Sequence, residues 1–201
     1  MRRALDPSFF SSTLRPLDSI VDVPPARGGL VRLRPRVRLA PQGGRPWCWA
    51  CVTSAIVNFY RGRNVLEPCR VANRYPPRDC CARPDGCNTE AALSNILDEL
   101  RALEKPPHGV LPHRAPNHDA IRAQIEANRI VAVLTRRWDG HFVIVEAISR
   151  NRVGGVVRIL DPERPDPQDV AWPPDDWAEW YATKPPRPGA EDIFPKEQVH
   201  G

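Results

Sequence analysis

Nowhere does the sequence of 201 residues hold an apolar run approaching the ~18–20 residues that a bilayer-spanning helix needs. A membrane is therefore not an expected partner. A leader is missing too: Met1-Arg2-Arg3 is basic, but Asp6, Pro7 and serines interrupt the next stretch, so no apolar signal-peptide core forms. We expect synthesis in the cytoplasm without a signal peptide, and export by a leaderless route is compatible with that. Internal repeats are also lacking. At this length the chain suits one domain and is too short for two of ordinary size.

Net charge is absent from most of the chain. The formal charge is +5, yet residues 1–41 hold eight arginines against three aspartates. That leaves 21 of the 29 basic and 21 of the 24 acidic side chains to the other 160 residues, which are neutral in sum. A neutral body with a basic arm offers no basic groove, which argues against nucleic acid as a partner. Arg32, Arg34, Arg36 and Arg38 alternate with Leu33, Pro35, Val37 and Leu39, the period of an extended segment with one wet face.

What is plentiful is proline. The 24 prolines are about twice the average usage, and several fall in pairs that punctuate the chain, as at Pro24-Pro25, Pro76-Pro77 and Pro106-Pro107. Hydrophobic residues make up 41%, enough for a core. We read a basic N-terminal arm over 1–36, one folded domain over 37–184, and a looser tail over 185–201.

Within the domain, a turn at Pro41-Gln42-Gly43-Gly44-Arg45-Pro46 precedes a helical run from Cys48 to Tyr60. Trp49, Val52, Ile56 and Phe59 follow spacings of three and four, with Ala50, Ala55 and Val57 beside them, so this helix is buried on most sides. Residues 61–87 are loop-rich and carry Cys69, Cys80, Cys81 and Cys87. Asn88 is read as the N-cap of a helix over 89–103, and Asn117 as the cap of one over 118–128. Then the pattern switches to strands: Ile130 to Leu134, a turn at Asp139-Gly140, His141 to Ile148, and Val156 to Leu160, ending at Asp161-Pro162. Helices first and an antiparallel sheet afterwards predict an α+β fold.

Cys48 stands at the first turn of a buried helix, where backbone N–H groups and a neighbouring imidazolium favour a thiolate. Gln42, six residues upstream, can join the Cys48 N–H in holding an oxyanion. His141, at the start of an apolar strand, suits the proton shuttle, and Asp161 at the end of the next strand suits the acceptor that orients it. These four form the candidate catalytic set, and the chemistry calls for neither cofactor nor metal.

Gln42, the Trp47-Cys48-Trp49-Ala50 helix start, Gly140-His141-Phe142 and Asp161-Pro162 together resemble the papain-like cysteine peptidases. The match is closest to the bacterial avirulence-effector branch, where a Cys, Cys-Cys, Cys-Asn stretch comes after the helix, as Cys69, Cys80-Cys81 and Cys87-Asn88 do here, and a C-terminal Trp (here Trp177 or Trp180) comes after the strands. The resemblance covers about residues 37–182. It implies a two-lobed α+β fold, a helical lobe around the Cys48 helix packed against an antiparallel β-sheet lobe, with the cleft between them. It further implies a thiol protease acting on a protein or peptide substrate, by analogy an effector or toxin with a specific target and a neutralising inhibitor or immunity partner. Cys51 departs from that branch, which has alanine there. Val23-Pro24 with Gly28-Gly29 is a faint match to its self-processing site, and self-cleavage is not expected.

Competing readings exist for most of these residues. Cys48-Trp49-Ala50-Cys51 is a Cys-x-x-Cys at a helix start, as in thioredoxin-like oxidoreductases. That fold needs a strongly apolar strand just before the motif, and Arg36 to Ala40 is a poor one. A buried structural thiol at Cys48 would leave Gln42, His141 and Asp161 without a role. For the other four cysteines, gaps of ten and five residues fit zinc poorly, and disulfides are favoured with their connectivity open. His108, His113 and His118 are read as surface histidines rather than a metal box. Trp172, Trp177, Trp180 and Tyr181 are read as core packing in preference to a peptide-binding shelf.

Overall fold

In a computed structural model the described residues are 29–75, 79–87, 89–104, 117–136 and 140–194. The fold is mixed α+β: an open antiparallel sheet with a few helices. Its strands are β1 (Leu30–Arg32), β2 (Val131–Thr135), β3 (His141–Ser149), β4 (Val156–Asp161), β5 (Arg164–Ala171) and β6 (Trp177–Ala182). The order is β5-β4-β3-β2-β6, with β1 pairing onto the far end of β3. Its helices are α1 (Cys48–Arg61), α2 (Pro68–Ala72), α3 (Leu93–Glu99) and α4 (His118–Glu126). Among the described residues no helix is long and apolar enough to cross a membrane.

All nine residues of β3 are buried, so both faces of this central strand are covered, and α1 and α4 both pack against it. That explains its run of β-branched residues in place of strict alternation. Helix α1 is buried from Cys48 through Val57 and ends where Gly62 adopts the left-handed conformation, φ 68°, a C-cap that glycine accepts without strain. Tyr60 ties this helix to the sheet: its hydroxyl lies 2.9 Å from Thr183 Oγ1 and accepts from the Ile130 N–H at 3.1 Å.

The structure differs from the sequence expectations in several places. The helix expected over 89–103 is confined to Leu93–Glu99, and Asn88, its expected cap, lies outside the described residues. Thr89 is held elsewhere: its hydroxyl donates to the Tyr75 carbonyl at 2.6 Å, and its own carbonyl accepts from the Trp49 indole. Downstream, Arg101 takes a positive φ of 51°, which ends the helical path. His118 is not a surface residue but 2% exposed, its ring edge-on to Trp172 at 5.1 Å. His108 and His113 lie outside the described residues, as do Asp139, Val23-Pro24 and Gly28.

Strands β5 and β6 carry no alternation that the sequence made visible. The prolines of β5 are tolerated because it is the edge strand. Trp177 and Tyr181 are buried as expected of core residues, but as members of the sheet itself. In the segment read as an arm, β1 pairs with β3. Through residue 194 the segment read as a loose tail is docked: Ala190 and Phe194 are buried, and Arg61 pairs with Glu191 at 3.0 Å.

Candidate active site

Cys48 opens α1 after a turn fixed by Trp47 N–H to the Arg45 carbonyl at 2.7 Å. The N-cap Trp47 contributes no side-chain cap, so no side chain of the capping residue competes for the first-turn N–H groups. Two indoles flank the cysteine and anchor it. Trp47 donates to the Cys87 carbonyl at 2.8 Å, and Trp49 donates to the carbonyls of Pro46 and Thr89, both at 3.0 Å. The two neighbours of Cys48 are thereby bonded to a wall that Cys87 and Thr89 supply.

That wall is cross-braced. Disulfides join Cys69 to Cys81 and Cys80 to Cys87, which fixes the connectivity that the sequence leaves open. Asn73 Oδ1 accepts from the Cys80 N–H at 2.5 Å. The Glu67 carboxylate comes within 4.8 Å of the Cys69 and Cys81 sulfurs, but sulfurs joined in a disulfide are not the thiolates that ligate metal. Cys48 and Cys51 are the free cysteines.

His141 is the first residue of β3, and its backbone carbonyl accepts from the Thr135 hydroxyl at 3.1 Å. Gly140 before it has φ 120°, which favours glycine, and a Cβ there would also crowd Leu134 Cδ1 at 3.2 Å. Asp161 is the last residue of β4. Its Oδ1 lies 2.6 Å from His141 Nε2 and accepts from the Glu163 N–H at 2.8 Å. Both side chains are almost wholly buried. With Nε2 engaged by Asp161, the ring also feels Cys48, which acts to raise the His141 pKa and lines the same cleft.

Burial alone lowers the pKa of His141, but the hydrogen bonds and charges of Asp161 and Cys48 outweigh it and raise the value to about 9. Cys51 lies one turn into α1 and is fully buried: burial and the Cys48 charge push its thiol up to about 12.

Gln42 completes the set. Its backbone N–H donates to the Pro162 carbonyl at 2.7 Å, which stitches the turn before α1 to the turn after β4. Its side chain is buried, and its amide oxygen has no hydrogen-bond partner among the described residues. An unpartnered buried polar atom costs about 1–3 kcal/mol, and here it belongs to a residue that lines the cleft.

Gln42, Cys48 and His141 line one cleft of about 490 Å³. Also lining it are Pro46, Trp49, residues 90–94, Leu134, Gly140, Phe142, Glu179 and Tyr181. No protein-family model and no curated protein sequence matches the chain. The structure thus brings all four sequence-selected residues together, three in the cleft and Asp161 behind His141. Sequence reasoning missed Glu90 and Glu179 in the walls, and it passed over Tyr181 as core. Two residues before Tyr181, Glu179 interrupts an aromatic run, and this was the available signal.

Proposed function

We propose that this chain is a papain-like cysteine peptidase that hydrolyses peptide bonds with Cys48 as nucleophile, His141 as acid and base, and Asp161 as orienter. The observation that carries the reading is the 2.6 Å His141–Asp161 contact on a ring that shares one cleft with Cys48 at the start of α1. A thiol beside an imidazole matters only where a carbonyl can reach it, and the shared cleft supplies that access.

In this mechanism the Cys48 thiolate attacks the substrate carbonyl and a C–S bond forms. The oxyanion is held by the Cys48 N–H and the Gln42 side-chain amide. His141 gives its proton to the leaving amine as the C–N bond breaks. Water then enters, His141 takes its proton, and the acyl group leaves as a carboxylic acid with the thiolate restored. Asp161 keeps the imidazole in the required tautomer throughout.

A thiol-disulfide exchange role for Cys48-x-x-Cys51 is the competing reading. Cys51 is fully buried with its thiol pushed up to about 12, which suits a resolving thiol poorly. That role would also leave the His141–Asp161 pair idle. The two disulfides are in keeping with action outside a reducing cytosol, and so with an exported effector or toxin. The test is a comparison of new protein N-termini in cells expressing the wild type or Cys48→Ala. A discrete set of cleavages lost in Cys48→Ala and retained in Cys51→Ala supports the reading; identical termini in wild type and Cys48→Ala overturn it.

A further inference from the structure

We propose that Cys48 and Cys51 close a reversible disulfide that switches the active site off when a hydroperoxide oxidises Cys48. This rests on the peptidase reading and adds the regulation of that same site. Cys51 is a free, fully buried thiol for which the proposed mechanism has no use. It stands three residues after Cys48 in α1, and its N–H donates to the Trp47 carbonyl at 2.9 Å, so the turn that holds both cysteines is helical. On an α-helix that spacing puts the two Cα atoms about 5 Å apart, inside the ~4.4–6.8 Å that a disulfide spans. The two groups also sense each other: after burial itself, the Cys48 charge raises the Cys51 thiol. The other four cysteines are already joined to one another, which leaves Cys51 as the partner at hand.

Cys48 is the point of entry, because it lines the cleft while Cys51 is enclosed in the core. Its thiolate attacks the hydroperoxide: an S–O bond forms, the O–O bond breaks, and the other oxygen leaves with a proton as an alcohol, or as water from hydrogen peroxide. Cys48 is then a sulfenic acid. Next the Cys51 thiol loses its proton, its sulfur attacks the Cys48 sulfur, and the S–O bond breaks as water departs. In sum, two thiols lose two electrons and one hydroperoxide gains them. A thiol pushed up to about 12 is ionised in only about one molecule in ten thousand at pH 8. That fraction is too small for a catalyst that must exchange with free disulfides. Within one helical turn, effective molarities of about 10⁵ M or more offset it. The disulfide removes the nucleophile and also keeps Cys48 from the irreversible sulfinic and sulfonic acids. Such a guard fits a thiol enzyme whose two other disulfides accord with an oxidising compartment.

The test treats wild type, Cys51→Ala and Cys51→Ser with excess hydrogen peroxide and then with dithiothreitol. Non-reducing peptide mapping by mass spectrometry identifies the state of each cysteine. Labelling of Cys48 by a thiol-directed peptide electrophile is followed before peroxide, after it, and after the reductant. In the wild type a Cys48–Cys51 cross-link forms, labelling is lost, and dithiothreitol restores both the thiols and the labelling. In both variants labelling is lost and stays lost, because Cys48 proceeds to the sulfinic or sulfonic acid. The proposal is overturned by sulfinic or sulfonic Cys48 in the wild type, by Cys48 joined to a different cysteine, by labelling that survives peroxide, or by equal recovery in the variants. Should a variant fail to fold, the wild-type map decides alone. If Cys48 is not labelled even in untreated wild type, the peptidase reading fails and its regulation with it; normal labelling without the cross-link overturns only this inference.

Discussion

The hydrogen bond that His141 Nε2 donates to Asp161 does two things at once. It fixes which ring nitrogen faces Cys48, and together with Cys48 it holds the imidazolium to about 9 against the effect of burial. An Asp161→Asn change keeps the shape and removes the charge. The alkaline limb of the Cys48 modification rate, set by loss of the imidazolium near pH 9 in the wild type, shifts to lower pH in Asp161→Asn; an unmoved limb would separate the two residues. The same linkage has a stability sign. Because the folded His141 value is raised above the ordinary 6.5, its contribution is full below that value and is lost as pH rises through about 9. The stability difference between wild type and Asp161→Asn in urea is therefore larger at pH 6 than at pH 10, and equal differences would count against the coupling. Cys48, His141 and Gln42 were legible because each sits at a sequence-marked boundary: a helix start, a strand start, a Gly-Gly turn. Glu90 and Glu179 were not, since a charged residue in a loop or on a strand reads the same whether it faces a cleft or open solvent.

Among the elements, α1 depends on what its polar residues hold. Asn58 Oδ1 accepts from the N–H groups of Val65 and Leu66, at 2.8 and 3.0 Å, and its amide donates to the Leu66 carbonyl at 2.8 Å. Asn58→Ala strands these backbone groups and costs about 1–3 kcal/mol by urea unfolding, where a loss within a few tenths would show the loop satisfied by other means. The disulfide-braced loop bears on the site directly, because the Cys87 carbonyl receives the Trp47 indole. Replacing Cys80 and Cys87 together by serine slows Cys48 modification while β-sheet content persists; an unchanged rate would show the indole anchored without the brace. Periodicity in the sequence placed α1, α4, β2, β3 and β4 to within a residue or two. It overextended α3, because Thr89, inside the expected span, is drawn into bonds with Tyr75 and Trp49 from distant parts of the chain. Such contacts have no local signature. Strand β5 was hidden by prolines that only an edge position tolerates.

For the whole molecule, the site exists because the two halves of the chain meet. The proposed nucleophile, Cys48, comes from the helical first half and the proposed base and its acceptor, His141 and Asp161, from the sheet of the second, with Gln42 N–H to Pro162 and the Tyr60 hydroxyl as ties between them. The order of elements made the α+β class legible in the sequence. The cleft walls were not legible, since they depend on the fold bringing β6 and residues 90–94 to one cleft. The proposed mechanism stands or falls on this meeting making one cysteine reactive, and a thiol-directed peptide electrophile with mapping of the adduct probes that reactivity at its source. A single adduct on Cys48, abolished in His141→Ala, is the expected result. Modification spread over Cys48 and Cys51, or a Cys48 adduct formed equally well in His141→Ala, would refute it.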